Sequence, residues 1–83
     1  MPIVVFEVKG VPRHRREGLV IAVESAGRHM RGSYEAWIVP SRADSGLCIR
    51  ITGPKGFFRQ AQIGNDLTDA EVGEQVRQAL AAL

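Results

Sequence analysis

Residues 47–52 alternate without a break: Leu47, Ile49 and Ile51 fall on one side, Cys48, Arg50 and Thr52 on the other. Successive side chains of a strand point to opposite faces, so this pattern demands a strand with one apolar and one mixed face. Gly53-Pro54-Lys55-Gly56 follows, a tight turn in which Pro presets φ and Gly supplies positive φ. Phe57–Ile63 then alternates again, with Phe57, Arg59, Ala61 and Ile63 against Phe58, Gln60 and Gln62. A lone hairpin is marginal in water, so the apolar side of this pair has to be covered by something else in the chain.

The cover is encoded downstream. Thr68-Asp69-Ala70-Glu71 is a capping box, in which the Thr hydroxyl and the Glu carboxylate each satisfy an unpaired backbone N–H. Leu67 and Val72 occupy the hydrophobic-staple positions, and Asp69 and Glu71 suit the positive end of a helix dipole. Val72, Val76, Ala79, Leu80 and Leu83 recur at helical spacing, which makes the C-terminal segment an amphipathic helix.

Two more strands precede the hairpin. Ile3–Val8 is β-branched and aromatic and is stopped by Lys9-Gly10-Val11-Pro12. Ser33–Pro40 places Tyr34, Ala36 and Ile38 on one face and Glu35, Trp37 and Val39 on the other, and residues 40–46 have the composition of a loop. Segment 13–31 supports two readings. As a helix, Leu19, Val23, Ala26 and Met30 form one apolar face. As a strand, Leu19, Ile21 and Val23 alternate. Gly18 and Gly27 each cost a helix about 1 kcal/mol relative to Ala, and Val20, Ile21 and Val23 favour a strand, so the strand is preferred. The expected fold is α+β: an antiparallel meander of four to five strands with the C-terminal helix packed on one face. The alternative order is β-α-β-β-β-α.

With 83 residues, 1–83 form a single small α+β domain, and 45% hydrophobic with 24% charged residues is ordinary globular composition. One cysteine excludes an internal disulfide and a cysteine-based structural zinc site. Apolar runs such as Leu19–Val23 are far short of the roughly 20 residues of a membrane span. The opening Met1-Pro2-Ile3-Val4-Val5 lacks the basic region of a signal peptide, so the expected location is the cytoplasm, with no membrane partner.

The chemistry of an enzyme is not apparent. His14 and His29 each stand in a run of arginines, 15 residues apart, without the nucleophile, orienting group or further ligands that catalysis or a metal needs. Cys48 has no flanking His, and Gly53-Pro54-Lys55-Gly56 is not followed by the helix of a phosphate loop. The expectation is a non-enzymatic protein without cofactor, catalytic residue or metal.

Two binding readings follow. A sheet covered on one face leaves the other open, and that face carries Trp37, Val39, Cys48 and Phe58, with Val20 joining them if 13–31 is a strand. Large aromatics ringed by Arg50, Gln60 and Gln62 have the composition of an interface. Free sheet edges would also accept an added strand. The expected function is a protein-interaction or self-association module whose partner is another copy or another protein, a homodimer being the simplest case. The alternative is nucleic-acid binding. Net charge is only +2, but ten of the eleven basic residues lie before residue 60. Arg13, Arg15 and Arg16, Arg28 and Arg31, Arg50, Lys55 and Arg59 would contact phosphates, and Trp37, Tyr34 or Phe58 would stack on bases. In a meander these cations divide between two ends of the sheet. If 13–31 is a helix, Arg13, Arg16, Arg28 and Arg31 gather along one element and the nucleic-acid reading gains.

The stretch from Ser45 through Lys55, then Gly64, then Leu67–Glu71, resembles the arm-type DNA-binding domains of tyrosine integrases. That resemblance implies DNA binding through a three-stranded sheet. It departs where a strand is missing between Lys55 and Gly64 and where Gln60, Ala61 and Gln62 replace basic residues, so it assigns no site residue here. The order β-α-β-β-β-α would instead be similar to double-stranded-RNA-binding domains, but Asp69 and Glu71 stand where that family carries its basic helix start.

Overall fold

The computed structural model describes residues 2–42, 46–64 and 66–81. Its elements are β1 (Ile3–Val8), α1 (Arg13–Ala26), β2 (Tyr34–Pro40), β3 (Leu47–Thr52), a 3₁₀ turn (Pro54–Gly56), β4 (Phe58–Ile63) and α2 (Asp69–Ala81). The four strands form one sheet in the order β1-β2-β3-β4. β2, β3 and β4 are antiparallel, whereas β1 and β2 run parallel. The class is α+β with a C-terminal helix, and of the two chain orders it is β-α-β-β-β-α that forms. The strand reading of residues 13–31 is corrected: α1 is the crossover that two adjacent parallel strands require. Residues 43–45 of the expected loop and Leu83 of the helical stripe lie outside the described residues.

Both helices lie on one face of the sheet. Ile3, Ala36, Ile38, Ile49, Ile51 and Ile63 from the strands meet Leu19, Val23, Val72 and Val76 from the helices in one buried cluster. Every alternation on β2, β3 and β4 points its apolar set inward, as the pattern requires. Ile21, which the strand reading groups with Leu19 and Val23, is instead 55% exposed on the far side of α1.

The reason α1 forms lies in what it touches. It has no side-chain cap at Pro12 and no acid in its first turn. Its glycines permit close approach. A Cβ at Gly18 would run into the Asp69 carboxylate at the start of α2, and one at Gly27 would collide with the buried Ile3 side chain. Gly73 of α2 in turn comes within 3.6 Å (measured from where its Cβ would be) of the Ala22 carbonyl oxygen. Arg15 ties the two helices by donating to the Leu67 carbonyl at 2.9 Å and to Asp69 Oδ1 at 3.2 Å. The capping box of α2 is closed from both sides: the Thr68 N–H donates to Glu71 Oε1 at 2.9 Å, and the Glu71 N–H donates to Thr68 Oγ1 at 3.2 Å.

Candidate interface on the open sheet face

Among the described residues no element covers the face of the sheet away from the helices. Strand pairing arranges it in three lines: Val4, Glu35, Thr52 and Phe58; then Glu7, Trp37, Arg50 and Gln60; then Val39, Cys48 and Gln62. The register shifts between Val5 and Glu7, so Phe6 is an extra residue on β1. Its ring meets the Trp37 ring edge-on, 5.9 Å between centroids. This bulge turns a second aromatic side chain onto the open face. Val4, Phe6 and Phe58 are 43%, 59% and 50% exposed, and Trp37 is half-buried between its neighbours.

Trp37, Val39, Cys48 and Phe58 thus share the open face, and Arg50 stands beside Trp37 at its centre. Cys48 is buried, sheltered by the long side chains around it. Val20 is not on this face, because it belongs to α1. Sequence reasoning missed Phe6 and Val4. Their exposure follows from β1 being an edge strand with a bulge, and no periodicity within six residues announces that.

Two depressions mark the face. One of about 390 Å³ is lined by Glu7, Trp37, Val39, Arg50, Thr52 and Phe58. The other, about 430 Å³, lies over Val39 and Cys48 between the longer side chains of Lys9, Arg42, Arg50 and Gln62. Lys9 is paired with Glu7 at 3.2 Å, whereas Arg50 and Glu35 have no ion-pair partner among the described residues. The β1 edge is partly occupied, since the Val5 N–H donates to Glu24 Oε2 at 3.3 Å.

The remaining basic residues form no single patch: Arg13, Arg15 and Arg16 are at one end of the sheet, and Arg28, Arg31 and Lys55 are at the other. Arg13, Arg15 and Arg16 lie in the first turn of α1, while Arg28 and Arg31 follow its last residue, Ala26. Ten helical residues, 17–26, lie between the groups, a rise of about 15 Å. The helix therefore keeps the two clusters apart instead of gathering them. Arg15 is taken up by α2, and Arg16 donates to the Val11 carbonyl at 3.4 Å. Arg59 lies on the covered side, its guanidinium 4.7 Å from the Phe57 ring centroid. Lys55 is at the opposite end of the sheet from Arg13, in the turn, at φ 59°.

Among the described residues there is no cluster of three or more His, Cys, Asp or Glu able to hold a metal ion, and no helix is long and apolar enough to cross a membrane. The chain matches no family model, no curated protein and no solved structure.

Proposed function

We propose that this protein is a self-association module that pairs with a second copy through the open face of its sheet. The observation that carries the reading is the gathering of exposed Val4, Phe6 and Phe58 around half-buried Trp37 on one sheet face, whereas the remaining exposed large apolar side chain among the described residues, Ile21, stands apart on α1. Exposed apolar clusters of this kind on a small domain call for a partner. Four strands about 4.8 Å apart and six residues long give a flat footprint of about 400 Å² per copy, and side-chain relief raises the accessible area above that. The two footprints together come to about 800 Å² before that relief is added, the size range of weak pairs, so the dimer dissociates within a measurable range. Among the described residues the charges near this face without an ion pair are Glu35, Arg42 and Arg50, a small net charge that opposes pairing with a second copy only weakly.

Size-exclusion chromatography with light scattering, at about 50 mM and 500 mM salt, tests this. A nucleic-acid-free dimer at both salts is expected, since contacts between Val4, Phe6, Trp37 and Phe58 are apolar and resist screening. Trp37→Ala should give a monomer with the circular dichroism of the folded protein. A monomer throughout would sink the reading. A species carrying nucleic acid at low salt, stripped to a clean monomer at high salt, would replace it with a nucleic-acid-binding face in which Arg50 meets phosphate and Trp37 meets a base.

A further inference from the structure

Resting on that self-association, we infer that the two copies stack about a two-fold axis parallel to the strands, so that Trp37 of each lies against Arg50 of the partner subunit. The register decides this. Sheets stacked face to face about a two-fold axis in the plane between them have two simple choices. An axis running across the strands lays each strand on its own copy in reverse. That sets Arg50 against the partner's Arg50 and Phe58 over the partner's Gln62. Two cations then meet at the centre of the interface, and an exposed aromatic ring loses its water to an amide.

An axis along the strands lays β1 over the partner's β4, and β2 over the partner's β3. Each of the three lines then meets itself in reverse order. Val4 faces the partner's Phe58, Val39 faces the partner's Cys48, and Trp37 faces the partner's Arg50. Val4 on Phe58 and Val39 on Cys48 are apolar pairs, Trp37 meets a cation, and no like charges are opposed on the three lines. Stacked sheets sit about 10 Å apart and are rotated by about 30°, which displaces the corners of the face and leaves its centre in register. Trp37 and Arg50 are cross-strand neighbours at that centre, so their pairing survives the rotation. Guanidinium on indole is favourable, and Trp and Arg are the residue types that dominate interface energetics.

The two orientations predict opposite signs for one variant. Arg50 is exposed and makes no ion pair among the described residues, so Arg50→Ala leaves the fold intact. By sedimentation equilibrium, Arg50→Ala should raise the dimer dissociation constant about tenfold or more, because two stacked pairs are lost. In mixed labelled and unlabelled wild-type protein, isotope-filtered NOEs should connect Val4 methyls with the partner's Phe58 ring. A dimer that tightens or is unchanged on Arg50→Ala, or NOEs from Phe58 to the partner's Gln62, overturns the orientation while self-association stands. A wild-type protein that stays monomeric removes both.

Discussion

Gly27 shows how little a residue's propensity says once its neighbour is known. Its φ of −98° is open to any residue, so the backbone does not demand glycine. The demand comes from Ile3, fully buried and directly against the site of the missing Cβ. Gly27→Ala should therefore destabilise the protein by about 1–3 kcal/mol, as overpacking does. Gly18→Ala makes the contrast. There the Cβ meets the carboxylate of Asp69, which is free to swing away at the cost of its pairing with Arg15. An exposed pair contributes about 0.2–1 kcal/mol and the helix gains about 1, so the net change in urea unfolding should be under about 1 kcal/mol. Glu71 gives a pH signature. The hydrogen bonds from the Thr68 backbone N–H and then its hydroxyl favour the charged carboxylate and hold it below its ordinary value of 4.5. The folded value is the lower one, so this contribution is full above the ordinary value and is lost as pH falls through the depressed one. Urea midpoints of Glu71→Gln should match wild type at low pH and fall short of it at neutral pH. Equal deficits at every pH would show that the charge plays no part.

At the level of elements, the two helices differ in where their stability originates. α2 carries its own start signal in Thr68 and Glu71, with Asp69 and Glu71 in its first turn. α1 opens on Arg13, Arg15 and Arg16 at the positive end of its dipole, with no cap. A peptide spanning 67–81 should show more helix by circular dichroism than one spanning 12–28, both being short enough to be marginal. Within the intact protein, paired substitutions test that 13–26 is helical. Leu19→Ala removes a buried side chain and should cost about 2–5 kcal/mol. Ile21→Ala removes an exposed one and replaces a β-branched residue by the best helix former, so it should be neutral or stabilising by a few tenths of a kcal/mol. Equal losses at both positions would favour a strand with Leu19 and Ile21 on one face.

For the whole molecule, one buried cluster already joins both helices to all four strands, so the fold does not rest on the proposed pairing. The proposed dimer would add to stability by mass action. The melting temperature of the wild type should rise with protein concentration, and that of Trp37→Ala should not. A wild-type melting temperature independent of concentration up to well above the dissociation constant would contradict the pairing.

The sequence alone determined the three antiparallel strands, the turn between β3 and β4, the capped C-terminal helix and the sharing of one face by Trp37, Val39, Cys48 and Phe58. Each of those follows from a period of two, a turn residue or a cap, which are local signals. The tertiary structure decided the rest. Residues 13–26 carry features of both strand and helix, and the choice fell to contacts made at a distance: Ile3 beneath Gly27, Asp69 beside Gly18, and Arg15 reaching the Leu67 carbonyl. That helix in turn sets β1 parallel to β2, and the bulge in β1 brings Phe6 against Trp37. The open face thus owes its strand pattern to local chemistry and its most exposed aromatic residue to packing that no window of sequence contains.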